Sequence, residues 1–439
     1  MMGNRPCFKE KVKAMQSNIK VVTENFRAIG HAAIQISGIT VVAGENSSGK
    51  STISKLLYYL FNTSSNYEVL VKRQLFYEFE DLLNFVRIIY TDFREQLDNI
   101  DFVRFNKLFH ETTYSDLSLE DIKLTFFLFL EKTFQKISFQ NSNRYNQFIN
   151  RILSKETGEN NNLESLKKFV ENKFKNAEDL IKLRPISLFT QELSHVFMSN
   201  ILPKTFEVSE EEEVIVALNK PTLSISFFVN KAIYIDTPMS LLSPGYYHHW
   251  HDLNTLLKKQ EDTRLYLKDI LSLISENIQG EAQKDSLYTS DFSFTRADGK
   301  TFDLNEVATG IKAFSIIQLL LKNGHIDNRT LLIIDEPESH LHPQWIVEYA
   351  RMIVLLHKHI GVKFFLASHN PDMVSAIRYI AEKEGVLDNV NYYLAEKTEE
   401  DYLYNYRALG SDIAPIFGSF NIAIDRISQY SIESDHDDL

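Results

Sequence analysis

Gly44-Glu45-Asn46-Ser47-Ser48-Gly49-Lys50-Ser51 is the stretch of this chain best suited to chemistry. Two glycines separated by four residues let the backbone wrap an anion, so that successive N–H groups point inward. The helix expected behind them adds the positive end of its dipole. In that geometry Lys50 bridges the β- and γ-phosphates of a nucleoside triphosphate, and the Ser51 hydroxyl binds magnesium. The phosphate-contacting run extends through Thr52. A chance glycine loop is the bland alternative. A buried-type strand before the loop, Gly38 to Ala43, argues against it, as does the helical spacing of leucine, isoleucine and tyrosine over Ser51 to Phe61.

A second group of residues supplies the acids. Leu331-Leu332-Ile333-Ile334-Asp335-Glu336-Pro337 is an apolar run that delivers two carboxylates at its C-terminal end, where open α/β sheets bind ligands. Asp335 is expected to hold magnesium and Glu336 to act as general base on the attacking water. An acidic turn is the alternative. Lys363 to Ala367 is a third buried-type strand, followed by Ser368-His369-Asn370-Pro371-Asp372. His369 at that strand's end can reach the γ-phosphate; a surface-loop histidine is the alternative. Together these segments imply ATP and Mg2+ as ligands.

The elements around them follow from periodicity. Lys20 to Thr23 and Ala32 to Ile36 read as strands flanking a turn at Arg27 to Gly30. From Asn62 to Lys204 the pattern is amphipathic and helical. Ser118 to Asp121 resembles a capping box there, and Glu156 to Asn162 a loop. Strands return at Glu213 to Leu218, Thr222 to Val229 and Lys231 to Asp236, and one helix covers Leu253 to Asn277. Phe292 to Arg296 and Thr301 to Leu304 form a hairpin around Asp298-Gly299. Helices at Thr309 to Lys322, at Gln344 to His359 and after Pro371 alternate with strands at Leu331 to Ile334, Lys363 to Ala367 and Asn391 to Ala395. That alternation predicts a mostly parallel sheet with helices on both faces. The domain division expected is 1–61 and 205–430 for one α/β head, 62–204 for an all-helical insertion, and 431–439 for an acidic tail.

The bulk properties narrow the class. The 439 residues suggest two to four domains, and 44% hydrophobic with 24% charged residues is ordinary for a globular protein. A net charge of −12 disfavours a general nucleic-acid coat, although a local basic groove remains open. The one cysteine, Cys7, cannot form an internal disulfide and suits a reducing cytoplasm. Met1 to Gln16 lacks the apolar core of a signal peptide. The longest apolar stretch, Leu124 to Leu130, is far short of a membrane span. The expectation is a cytoplasmic chain with no membrane partner. His248, His249 and His251 lie close in sequence, but their spacing fits neither one helix face nor a usual zinc pattern, so a structural or surface role is expected.

The phrases Gly-Glu-Asn-Ser-Ser-Gly-Lys-Ser-Thr from Gly44, Asp-Glu-Pro-Glu-Ser-His-Leu-His-Pro from Asp335 and Ala-Ser-His-Asn-Pro from Ala367 resemble the ABC-type ATPases of the OLD/RecF/SMC lineage. The second phrase is specific to the OLD-like branch, and Tyr234 to Pro238 also resembles it. The resemblance covers about residues 20–61 and 225–400. It implies an α/β fold, an ABC-type P-loop NTPase head with a mixed sheet, carrying a large all-helical insertion. It also implies a signature helix whose N-terminus meets ATP held by a second copy. Thr309-Gly310, in Val307 to Lys312, occupies that position, without the double glycine and glutamine of transporter signatures. His340 and His342 fall in the loop that crosses the subunit interface in that lineage, and Gln74 is a candidate for its glutamine loop.

OLD nucleases carry a TOPRIM domain after the ATPase. Only 70 residues (439 − 369) follow His369 here, and they show no acidic cluster at strand ends. The resemblance therefore points to the ATPase subunits of anti-phage systems such as PARIS and Septu. Those pair with a separate TOPRIM-type or HNH-type nuclease, and they imply a homodimer or higher homo-oligomer. A RecF-like DNA-repair ATPase is the alternative. The lysines at 167, 168, 173 and 175 alternate with Glu164, Glu171 and Glu178, which reads as a solvated helix face.

Overall fold

The computed structural model describes residues 18–92, 99–109, 114–136, 163–237, 248–260, 268–288, 291–399, 402–418 and 428. The expected loop at Glu156 to Asn162 and the acidic tail at 431–439 lie outside them. In chain order the strands are β1 Ile19–Phe26, β2 Ile29–Ile36, β3 Ile39–Gly44, β4 Thr205–Glu210, β5 Glu213–Ala217, β6 Lys231–Ile235, β7 Gly280–Lys284, β8 Phe292–Arg296, β9 Thr301–Asp303, β10 Thr330–Asp335, β11 Lys363–Ser368, β12 Val390–Lys397 and β13 Tyr404–Gly410. The helices are α1 Lys50–Ser65, α2 Tyr67–Glu78, α3 Glu80–Asp92, α4 Asn99–Lys107, α5 Leu119–Lys136, α6 Leu163–Leu183, α7 Ser187–Val196, α8 His248–Lys258, α9 Lys268–Ile278, α10 Thr309–Lys322, α11 Pro343–Ile360 and α12 Pro371–Glu384. They fall into two compact units. One comprises Met1–Ser65, Phe189–Lys220 and Ser224–Leu439, the other Asn66–Leu188 and Pro221–Leu223.

The first unit holds a ten-stranded sheet in the order β5-β4-β1-β2-β13-β12-β3-β11-β10-β6. Strands β3, β10 and β11 are buried at every residue, as expected of strands covered on both faces. They run parallel, with Ser368 beside Ala43 and Asp335 beside Ala367, so their C-terminal ends share one edge. β1 instead alternates between inside and outside, the signature of a half-covered strand. The sheet is mixed. β6, β10, β11, β3 and β12 are joined in parallel, as are β13 and β2. The β12–β13, β2–β1, β1–β4 and β4–β5 neighbours are antiparallel. This is the mixed sheet that the resemblance implies: β10, β11 and β12 run parallel with β3, as the alternation predicts, and the antiparallel neighbours are β12–β13 and the four strands at the β5 end.

Two expectations are corrected. Thr222 to Val229 is not a strand. Its backbone is held by the Glu210 carboxylate, which accepts from Phe227 N at 2.8 Å and Phe228 N at 3.4 Å. The single helix over Leu253 to Asn277 is two, α8 and α9. The hairpin at Asp298-Gly299 forms, and β7 joins it as a three-stranded sheet.

Helices α11 and α12 show why the local sequence stops and starts as it does. Each begins with proline behind a capping side chain, His342 and Asn370. Each ends at a left-handed glycine, Gly361 at φ 84° and Gly385 at φ 72°.

In the second unit a phenylalanine cluster forms the core. Phe126 lies 4.9 Å from Phe79, 5.0 Å from Phe105 and 5.9 Å from Phe174 between ring centres. Ser118 caps α5, accepting from Asp121 N at 3.1 Å. The lysines of α6 are charge-balanced: Lys167 pairs with Glu131 at 2.8 Å and Lys173 with Glu78 at 3.1 Å. Among the described residues no helix is long and apolar enough to cross a membrane.

Lys363 opens β11 almost fully buried, donating to the Asn328 carbonyl at 3.0 Å. Burial pushes its pKa down from 10.5 to about 8, against the pull of Asp327 and Glu210. Between those values the unfolded chain binds a proton that the folded one does not, so stability rises with pH there. The expected result is that the wild type gains about 3 kcal/mol relative to Lys363→Met between pH 8 and pH 10.5. Urea titrations at the two pH values measure it; a flat difference would refute it.

Candidate active site

The loop after β3 takes backbone shapes that only certain residues tolerate. Gly49 has φ 94°, and a Cβ there would lie 2.9 Å from Ile29 Cγ1 and 3.3 Å from the Tyr406 hydroxyl. Ser47 is also left-handed, at φ 66°. Thr52 N and Ile53 N donate to the Gly49 carbonyl at 3.0 and 3.1 Å, which starts α1. Tyr406, buried on β13, donates to the Ser48 carbonyl at 2.9 Å and pins the loop from the sheet side.

Lys50 is buried, its ammonium donating to the carbonyls of Gly44 and Glu45 at 2.8 Å each. Burial lowers its pKa, and the carboxylates of Glu336, Asp335, Glu338 and Glu45 oppose that shift. The loop faces a cavity of about 270 Å³, lined by Arg27, Ala28, residues 46–52, Glu336 and Ala367.

The acids arrive from β10. Asp335 is 6% exposed. Its carboxylate accepts from Ser54 Oγ and, at 2.8 Å, from the Tyr234 hydroxyl. Burial raises its pKa, while hydrogen bonds from Ser54, Tyr234 and Ser51 pull it back. Glu336 turns out of the strand at φ 49°, held by its N–H to the Ala367 carbonyl at 2.7 Å, and its side chain is 46% exposed. A non-glycine residue held in that region costs about 1–3 kcal/mol, so the surrounding structure must hold it there. The turn aims Glu336 into the cavity while Asp335 stays beneath it. His369 follows β11, its Nδ1 3.4 Å from the Oε1 atoms of Glu336 and Glu338.

The donor set fits a magnesium-bound triphosphate. Ser51 and Asp335 are neighbouring oxygen donors, the kind a hard cation takes. Lys50 is a buried cation at the mouth of an amide-lined loop, as β- and γ-phosphates require. Asn46, Ser47, Ser48, Gly49, Lys50, Ser51 and Thr52 make one continuous wall, Gly44 and Glu45 lead into it from β3, and Asp335, Glu336 and His369 stand at the adjoining strand ends.

A protein-family profile described as an AAA ATPase domain matches residues 15–374. The chain belongs to the AAA ATPase domain family. No curated protein matches. Among solved structures, the SMC head domain from Thermotoga maritima is similar at 11% identity with a TM-score of 0.35, covering 90% of this chain and 99% of that one. The Smc head domain with an extended coiled coil from Pyrococcus furiosus, bound to the C-terminal domain of ScpA, aligns at 11% identity and a TM-score of 0.34 over 94% and 100%. A Clostridium perfringens component of the cbiONQ ABC transporter complex aligns at 9% identity and 0.36 over 95% and 99%.

The remaining residues singled out in the sequence lie outside the lining of this cavity; for Thr309-Gly310 the expectation is contact with ATP held by a second copy, not by this chain. Thr309 and Gly310 begin α10 and are not among the residues lining the cavity. A Cβ on Gly310 would meet the Trp345 ring at 2.8 Å, so the glycine is needed for packing at that helix start. Gln74 lies on α2 in the helical unit, donating to Glu78 at 3.3 Å. His342 accepts from Gln344 N at 3.4 Å and caps α11, and His340 takes φ 64°. His249 is buried, with Nε2 2.9 Å from Asp236, and His251 is exposed. Among the described residues no group of three or more His, Cys, Asp or Glu is placed to hold a metal.

Sequence reading assigned no role to Tyr234, Ser54, Tyr406 or Glu338. Ser54 was within reach, since it lies three residues after Ser51 and so on the same helix face.

Proposed function

We propose that this chain is an ABC-type, Mg-dependent ATPase whose nucleotide site is completed by a second copy, and that it serves as sensor and regulatory scaffold for a separate nuclease effector in anti-phage defence. The observation that supports the ATPase reading is the convergence of Lys50, Ser51, Asp335, Glu336 and His369 on one sheet edge around an amide-lined cavity. Lys50 and the loop amides neutralise the phosphate oxygens. Glu336 accepts a proton from the attacking water, and His369 contacts the γ-phosphate. Ser51 and Asp335 would hold magnesium, which would supply positive charge against the phosphate oxygens.

The head-to-tail reading rests on Thr309-Gly310. Their helix start offers unpaired N–H groups, and no side chain caps it. It stands apart from the lining of this chain's own phosphate cavity. Effector control rests on the resemblance of Asp335 to Pro343 to the OLD-like branch. The helical unit offers a surface for oligomer or effector contacts.

Mixing two inactive chains tests the composite site. Lys50→Ala removes phosphate binding but keeps the signature helix. Thr309→Glu keeps the loop but sets a carboxylate where the partner's γ-phosphate would dock, and an acid in a first helical turn is compatible with folding. Each chain alone is expected to be inactive, and the mixture to regain turnover. A mixture that stays inactive while both chains still dimerise would sink the head-to-tail assignment.

A further inference from the structure

Glu338 lies three residues beyond the metal-binding Asp335, and its side chain is 3% exposed. Its Oε1 accepts from Ser368 Oγ and from His369 N, both at 2.9 Å. Its Oε2 is buried with no hydrogen-bond partner. An apolar residue here would strand the Ser368 hydroxyl and the His369 N–H, but a single neutral acceptor would serve both, so a full carboxylate with Oε2 to spare needs a reason beyond holding them.

The surroundings supply one. Ser368 Oγ, besides donating to Glu338, accepts from Asn370 N at 3.1 Å. Asn370 in turn caps α12 through Asp372 N and Met373 N, at 2.8 and 3.1 Å. Glu338 therefore ties the turn after β10 to the segment carrying His369 and to the start of α12. The imidazole sits between two carboxylates, with Nδ1 3.4 Å from Oε1 of Glu336 and 3.4 Å from Oε1 of Glu338. It makes a hydrogen bond to neither. A proton on Nδ1 can go to one of them only. If it goes to Glu336, the general base is engaged and the histidine is turned toward it. If it goes to Glu338, Glu336 is free and Nε2 is the nitrogen left for the phosphate.

We propose that Glu338 is the positioning residue for His369: it seats the histidine's backbone and takes its Nδ1–H, which keeps Glu336 available to the attacking water. This rests on the assignment of Glu336 as base. Glu338 does not touch the nucleotide, so it acts on the rate and not on affinity.

The test is a set of ATPase kinetics on the full chain. Glu338→Gln keeps the shape and an acceptor oxygen, but a neutral amide is a weaker acceptor than a carboxylate by about half. It is expected to lower kcat by about threefold or more, with the KM for ATP within about twofold. Introduced into a His369→Ala chain, the same change is expected to have almost no further effect, since the group it positions is gone. Ser368→Ala, which loosens the seat of Glu338 by removing one donor and adds no bulk at a buried position, is expected to show the same pattern on a smaller scale, so the result does not depend on one variant folding. A wild-type kcat in both variants would overturn the proposal. So would a loss of equal size with and without His369, which is what a merely structural role gives. Glu336→Gln measured alongside separates the two levels. Wild-type turnover there would remove the base assignment and this proposal together. Loss of turnover there, with Glu338→Gln unimpaired, would overturn the positioning role alone.

Discussion

Glu336→Gln is expected to lower ATP turnover by about 10²–10⁴-fold, the usual contribution of a positioned general base. The reason lies in how little else the change disturbs. The backbone at 336 is set by its own N–H bond to Ala367 and its left-handed φ, and neither depends on the side chain. The side chain is half exposed at the cavity wall, so glutamine is accommodated without a buried unpaired group. An amide cannot take the water's proton, however, and neither of the two carboxylates packed nearest to it stands ready. Asp335 is buried and already bonded to Ser54 and Tyr234, and Glu338 is bonded to Ser368 and His369. ATP affinity is expected to stay within about threefold, because Lys50 and the loop amides are untouched. If the site closes across two copies, the variant accumulates ATP-held dimers, visible by sedimentation. Phosphate release at the wild-type rate would take Glu336 out of the mechanism.

The central strands were legible because nothing competes with their pattern. Ile39 to Gly44, Thr330 to Asp335 and Lys363 to Ser368 are apolar runs buried on both faces, and their burial matches residue for residue. The edges were not legible for the opposite reason. β4, Thr-Phe-Glu-Val-Ser-Glu, alternates as a half-covered strand should, yet its outer residues look like a loop's. β7, Gly-Glu-Ala-Gln-Lys, is a strand mainly because β8 offers it partners. Thr222 to Val229 has strand-forming residues, and the buried Glu210 carboxylate claims its N–H groups instead. In each case a tertiary contact overrides local preference.

The same division runs through the site. The phosphate loop and the acids that follow β10 are contiguous in sequence, so the chemistry of each could be read from its spelling. The residues that hold them are not contiguous. Tyr406 reaches Ser48 across 358 positions, and Tyr234 reaches Asp335 across 101. A tyrosine in a strand is an ordinary core residue until the fold shows what its hydroxyl meets. Sequence could name the candidate groups for nucleotide contact, but the groups that brace them emerge only from the sheet order.

Lys50→Ala is the second large effect expected, this time on binding. Truncating one member of a buried, hydrogen-bonded charge pair costs about 2–5 kcal/mol, which corresponds to roughly 30- to several-thousand-fold in ATP affinity. Lys50 is 7% exposed and donates to two carbonyls of its own loop, so its loss removes both the phosphate's counter-charge and a brace on the loop. It is also the cation facing Glu336, Asp335, Glu338 and Glu45. Without it, a triphosphate entering the cavity meets those carboxylates with only Arg27 left among the lining cations, which adds repulsion to the lost attraction. Thermal unfolding with and without MgATP measures the outcome. Nucleotide at about 100 times its dissociation constant stabilises the folded state by about 2.7 kcal/mol, and at the same concentration that shift is expected to fall to about 0.9 kcal/mol or less in Lys50→Ala while the nucleotide-free melting temperature stays close to wild type. Lys50→Arg is expected to fail as well. A planar guanidinium cannot enter a slot closed by two carbonyls at 2.8 Å, so the requirement is for an ammonium at that point and not for positive charge alone. An undiminished MgATP shift in either variant would show that the loop binds its ligand without this lysine.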